Sequence, residues 1–246
     1  MAKIVGISGR KQSGKNTVAN FINGTVLIDR EMVMDFFIND DGQLAIKTIN
    51  STGEEGYGIF DVTRKDSAFV EYAEKELWPY AKVYHFADYL KDLSINLFGL
   101  NPQGVYGTDQ QKNELTNIKW ENMPFITKKG GYMTNREFLE QFGTKVVRKI
   151  RTDAWVAATI NKINYENSQI AIIPDVRFPN EVEAIKASGG IVIRLARNLH
   201  NSDVECETVL DKDNFDWSNF DAVIDNTDYT IEKLCDELTS LKSLWS

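Results

Sequence analysis

Cysteine and histidine are nearly missing from this chain, with two of each in 246 residues. Cys206 and Cys235 form no redox or metal pair, and neither they nor His85 and His200 fall at ligand spacing. This excludes a zinc site and a disulfide framework, and it suits a reducing compartment. Both cysteines are expected to be packed and inert, and both histidines structural. No apolar run approaches the roughly 20 residues that a membrane helix needs. A basic block is missing too. The 28 Lys and Arg are outnumbered by 36 Asp and Glu, for a net charge of −8, and the cations come as scattered pairs such as Lys128-Lys129. Such a chain is not built to hold a nucleic-acid backbone. There is no signal-peptide pattern at the start, no internal repeat and no low-complexity segment. The expectation is a soluble cytoplasmic protein with neither a nucleic-acid nor a membrane partner.

What is there is ordinary globular material, 42% hydrophobic and 26% charged, enough to bury a sizeable core. KIVGIS (3–8) reads as a buried strand and 15–23 as a helix with one apolar face. Between 30 and 65 lies an insertion with two β-rich runs around Asp41-Gly42, a hairpin signal, followed by the glycine-rich, loop-like STGEEGYGIFDVT. Helix is expected over 66–78, strand over 81–87, and helix over 88–98, closed by Gly99. Residues 101–133 read as irregular, and a stretch this long is usually a lid or a substrate-binding segment. A helix over 134–150 starts with a capping box, Thr134 and Glu137. Helix 153–164, strand SQIAIIPDVRF ending in Asp175, a helix with Pro179 near its start and Gly189-Gly190 past its end, strand IVIRLAR, strand FDAVIDN and a closing amphipathic helix complete the chain. Strands alternating with helices predict an α/β fold with a mainly parallel central sheet covered on both faces. The expected organisation is one domain over 1–246.

The chemistry begins at GISGRKQSGKNT (6–17), a glycine loop between strand and helix. Its spacing, Gly9 and four residues before Gly14-Lys15, is that of a phosphate-binding loop. Backbone N–H groups around such a turn, with the helix dipole behind them, hold a polyphosphate. Lys15 would neutralise the β- and γ-phosphates. Asn16 stands where Ser or Thr usually meets Mg²⁺, so it would coordinate through its carbonyl or leave the metal to waters. Thr17 would contact the α-phosphate. The bland alternative is a chance glycine turn.

Three further stretches could form a second site. HFADYLK (85–91) places Asp88 and Lys91 at a strand-to-helix turn, where parallel sheets bind ligands; a capped helix with a solvated lysine is the alternative. TNREFLEQFGTKVVRKIRTDAW (134–155) carries Arg136, Gln141, Thr144, Lys145, Arg148, Arg151 and Trp155, which could also be a solvated face. Gly143 within it costs about 1 kcal/mol relative to Ala in a helix, and would allow close approach of a ligand or neighbouring backbone. IIPDVRFPNE (172–181) ends a buried strand at Asp175, with Arg177 able to fork onto a phosphate or to pair with Asp175 structurally.

Together these stretches resemble the deoxynucleoside monophosphate kinases of tailed bacteriophages, within the P-loop kinase superfamily. The resemblance rests on SGRKQSGKNT, HFADYLK, REFLEQFGTKVVR, DAWV and DVRFPNE...GGIVIRLAR, and more weakly on ECETVLD followed by DAVIDN. It implies the three-layer α/β/α P-loop kinase fold, plus the hairpin insertion. It also implies transfer of the γ-phosphate of ATP to a deoxynucleoside monophosphate, with Mg²⁺, giving the diphosphate and ADP. On this chain Ser13, Gly14, Lys15, Asn16 and Thr17 would bind ATP. Lys11, Lys91, Arg136, Gly143, Thr144, Arg148, Trp155, Asp175, Arg177 and Glu181 would line the monophosphate site. Lys15, Arg148 and Asp175 would be catalytic. A homodimer is the family-level expectation. Where the family often has HxSE, this chain has VECE (204–207), and the 30–65 insertion is larger than a minimal kinase of this type needs.

The residues fit direct phosphoryl transfer without a phosphoenzyme, since that reaction asks for alignment, positive charge and exclusion of water. The mobile 101–133 segment, or Arg148 or Arg151, would close over the substrates. Two other readings are open: another small-molecule P-loop kinase, such as a dephospho-coenzyme A kinase, or a nucleotide-binding interaction protein without catalysis. A GTPase would need NKxD, and the nearest string is NKIN at 161–164.

Overall fold

The computed structural model describes residues 2–49, 52–124, 130–198 and 208–246; Lys128, Lys129, His200, Cys206 and the VECE string lie outside them. The chain divides into two compact units, residues 2–85 with 160–246, and residues 86–159. Along the first run β1 (Lys3–Ser8), α1 (Lys15–Asp29), β2 (Phe36–Ile38), β3 (Leu44–Ile49), β4 (Glu55–Ile59), α2 (Ser67–Glu76) and β5 (Ala81–Val83). The second holds α3 (Asp88–Asn96), α4 (Pro102–Tyr106), α5 (Asp109–Lys112), β6 (Leu115–Lys119), β7 (Tyr132–Thr134), α6 (Asn135–Glu140), a π-helical stretch (Gln141–Val147) and α7 (Arg148–Ile150). Helix α8 (Ala154–Glu166) leads back to β8 (Ile170–Val176), α9 (Pro179–Ala187), β9 (Ile191–Leu195), β10 (Ala222–Ile224) and α10 (Ile231–Ser240).

The first unit is built on a five-stranded, wholly parallel sheet in the order β10-β9-β1-β8-β5. Alternate residues of β1 serve opposite faces. Val5 and Ile7 join a core with Val18 and Ile22 of α1 and Leu234 and Leu238 of α10. Gly6 faces the other way, where a Cβ would come within 2.7 Å of Ile185 on α9. Burial on both faces is why β1, β8 and β9 read as continuous apolar runs. This is the α/β architecture of the P-loop kinase fold expected from the sequence.

The insertion forms a separate three-stranded antiparallel sheet, β2-β3-β4. Its first turn is the expected one. Asn39 accepts hydrogen bonds from the N–H groups of Asp41 (3.1 Å) and Gln43 (2.8 Å), and Gly42 takes φ +75°. Residues 55–59 of the glycine-rich stretch read as loop are instead β4, with Gly56 and Gly58 opposite Thr48 and Ile46. Pairing with β3 decides that strand, although its glycines contribute no strand propensity.

Residues 101–133 also differ from their reading. Two short capped helices and the β6–β7 pair occupy most of the described part. Leu100, Val105, Trp120, Met123, Met133 and Phe138 form a buried cluster that no periodicity announced, because they come from several short elements and the turns between them. Thr134 and Glu137 make the predicted capping box, and the helix beyond it loosens into the π-helical turn that contains Gly143.

Candidate active site

In the first unit, the glycine loop leaves β1 at Ser8, at the centre of the sheet. Strand β5 lies on one side of β1 and β10 on the other, so this is where the strand order reverses and where ligands bind in such sheets. Gly14 caps α1 in the left-handed region, φ +99°, which only glycine adopts without strain. A side chain on Gly9 would collide with the Ser13 hydroxyl and come within 3.2 Å of the Leu195 carbonyl. Gly9 is therefore required by close packing and Gly14 by its backbone conformation. Lys15 Nζ curls back over the loop and donates to the carbonyls of Gly9 (2.7 Å) and Arg10 (2.6 Å). The ammonium thus lies against the turn where an anion would bind. Ser13 is buried, and Lys11 and Asn16 are exposed. Thr17 is buried beneath the inserted sheet, where a side chain on Gly42 would strike its hydroxyl. Asn20, one turn further along α1, donates to the Gly42 carbonyl at 2.9 Å.

Asp175 lies in the neighbouring strand β8, and register Ser8↔Val176 sets it beside the start of the loop. It is one residue inside the strand rather than at its end. Arg177 follows at the turn into α9. Glu181 is 2% exposed, and one carboxylate oxygen accepts the N–H groups of Arg177 (2.7 Å) and Phe178 (3.1 Å). Phe178 has no side-chain acceptor and Pro179 no N–H, so Glu181 supplies the cap for α9. That oxygen thus holds the backbone of Arg177 and Phe178 at the turn.

The other candidates lie in the second unit. Lys91 Nζ sits 4.8 Å above the Tyr106 ring, whose hydroxyl donates to Asp92 at 3.0 Å. Burial first, and then the Asp92 carboxylate, raises the Tyr106 phenol well above its usual range. Arg136 is tethered to Asp109 (2.8 Å) and Asn113 (3.2 Å) around α5. Gly143 has a packing reason: a Cβ there would meet Leu90 at 2.6 Å. Its carbonyl accepts the indole N–H of the buried Trp155 at 3.2 Å. Thr144 and Arg148 are both partly exposed, on the π-helical turn and at its end. Arg151 forms a two-pronged pair with Asp153, 2.7 and 3.0 Å, which raises the guanidinium and lowers the carboxyl.

A family model described as deoxynucleotide monophosphate kinase matches residues 3–238. The chain belongs to that family. It is also similar to a protein of Acanthamoeba polyphaga mimivirus named "Putative deoxynucleotide monophosphate kinase", with 27% identity over 173 residues, covering 63% of this chain and 79% of that one.

In this family member, sequence reasoning passed over residues that build the loop's surroundings. Asp211 bridges Arg10 of the loop and Arg194 of β9, the latter at 3.0 Å; Arg194 is 4% exposed and also donates to Ser8 Oγ at 3.0 Å. Asn226, after β10, donates to the Ser13 carbonyl at 2.8 Å. The partners of Ser8, Arg10 and Ser13 lie 186 to 213 positions away in sequence, so spacing carries no sign of them. The only hint for Asn226 was its place in DAVIDN.

Proposed function

We propose that this protein transfers the γ-phosphate of ATP to a deoxynucleoside 5′-monophosphate, giving the diphosphate and ADP. The observation that carries the reading is the family match over 3–238 on a chain whose Gly9–Lys15 loop leaves the central parallel strand. On this reading the loop's N–H groups and Lys15 hold the ATP phosphates. Ser13, Gly14, Asn16 and Thr17 are assigned to the same cradle on the strength of the resemblance. An oxygen of the monophosphate attacks the γ-phosphorus. The bond to the β–γ bridging oxygen breaks, and ADP leaves with that electron pair. Lys15 offsets the negative charge that spreads over the transferred group, and Arg148 is assigned the same role on the strength of the resemblance alone.

Asp175 beside the loop and the exposed Asn16 are oxygen donors of the kind Mg²⁺ takes. That ion keeps most of its ligands as phosphate and water, so two protein donors suffice. Bound there, it would supply neutralisation of the phosphate oxygens. Lys11, Lys91, Arg136, Thr144, Trp155 and Arg177 are assigned to the monophosphate on the strength of the resemblance. Gly143 and Glu181 support Trp155 and Arg177 in this scheme, the carbonyl and the carboxylate being engaged as described above.

The test is coupled ADP release with each of the four deoxynucleoside monophosphates, the matching ribonucleotides and dephospho-coenzyme A. Turnover with at least one deoxynucleotide, lost in Lys15→Ala by a factor of about 10³ or more, is expected. Unchanged turnover in that variant would refute the role of the loop. Turnover with dephospho-coenzyme A alone would refute the substrate.

A further inference from the structure

We infer that Asn226 is a positioning residue for the ATP-binding loop, aiming one of its backbone donors at the nucleotide. This rests on the proposed function. Asn226 follows β10, is 2% exposed, and lies wholly within the first unit, as does the loop. Its two amide atoms are assigned by their partners. The Ser13 carbonyl can only accept, so it takes Nδ2 at 2.8 Å. The Arg197 N–H can only donate, so it faces Oδ1 at 3.1 Å.

The geometry of the peptide group turns this bond into an orientation. Ser13 C=O and Gly14 N–H share one planar trans peptide and point in opposite directions. Drawing the carbonyl toward Asn226 therefore directs the Gly14 N–H away from it, as a donor for an anion rather than a partner for the protein. Gly14 is also where the chain is left-handed, φ +99°, so the peptide has an alternative orientation that no side chain of its own prevents. Asn226 Nδ2 lies 3.7 Å from where a Gly14 Cβ would be, in ordinary contact. Its second bond, to the backbone just after β9, anchors the amide from the opposite side. The side chain thus ties the loop to the segments that follow β9 and β10.

The experiment measures ATP and deoxynucleotide dissociation constants by calorimetry, and unfolding temperature, for the full-length wild type, Asn226→Ala and Asn226→Ser. Asn226→Ala should weaken ATP by about tenfold or more and leave the monophosphate within about twofold. Asn226→Ser, whose hydroxyl can still donate, should fall between it and wild type; if the Ala variant does not fold, Ser against wild type carries the same comparison. Equal losses for both nucleotides, tracking the unfolding temperature, would reduce Asn226 to a structural residue. ATP affinity unchanged in a variant of a wild type that binds ATP would overturn this inference alone. A wild type that binds no ATP would overturn the proposed function and this inference with it.

Discussion

Glu181 offers the most direct contest between the two readings of DVRFPNE. As a member of the monophosphate site it would touch substrate; as placed, it caps α9. A single buried oxygen accepts two N–H groups at 2.7 and 3.1 Å. Glu181→Ala removes both bonds. Hydrogen bonds to a charged group are worth about 1.5–3 kcal/mol each, and the two donors belong to partly exposed residues that water can reach in part. The loss should be about 3 kcal/mol. Glu181→Gln keeps an oxygen in the same place and loses only the charge, at a helix N-terminus where an anion is worth roughly 0.3–2 kcal/mol. Its loss should be about 1 kcal/mol. For a chain of this size each kcal/mol moves the midpoint by roughly 2–4 °C, so Ala should fall by about 6–12 °C and Gln by about 2–4 °C. Scanning calorimetry with coupled kinetics measures both. Gln should keep most of the turnover, with any defect appearing in the monophosphate KM through Arg177. If both variants melt like wild type while monophosphate binding is abolished, Glu181 contacts substrate and the capping argument is wrong.

Two further outcomes are expected. Phe138, fully buried and packed on Phe98 and Phe142 at ring distances of 5.0 and 5.5 Å, holds the second unit's core; Phe138→Ala should cost about 3–5 kcal/mol by denaturant titration, and less than about 1 kcal/mol would refute that core. Burial, with Asp236 beside it, pushes the Cys235 thiol up to about 11 from its ordinary 9.0. The folded chain therefore keeps a proton that the unfolded chain releases, and the stability from this group is whole below about pH 9 and declines as pH rises toward 11. Alkylation of Cys235 mapped by mass spectrometry should be slow at pH 8 in the native protein and fast in denaturant; equal rates would contradict its burial.

Elements whose signal is local were legible in advance. The apolar run of β1, the Gly9–Lys15 spacing, the Asp41-Gly42 turn and the Thr134/Glu137 cap each depend on residues within a turn of one another, and the structure places all four as read. The misreadings share one cause. β4 is a strand because β3 supplies its hydrogen bonds, and the elements within 101–133 exist because they bury one another. Neither fact is contained in the segment itself.

The same division runs through the candidate site. By itself the sequence determined that the chain is α/β, that a lysine-bearing glycine turn opens its first helix, and which family it belongs to, because backbone conformation and apolar periodicity are set by near neighbours. Only the tertiary structure decided what surrounds that turn. Asp211 between Arg10 and Arg194, Asn226 on the Ser13 carbonyl and Gly42 over Thr17 are contacts across long loops. The contacts of Asp211 and Asn226 with the loop form once the parallel strands align, since a parallel sheet brings together the ends of strands far apart in the chain, and the Gly42 contact forms once the inserted antiparallel sheet packs on α1.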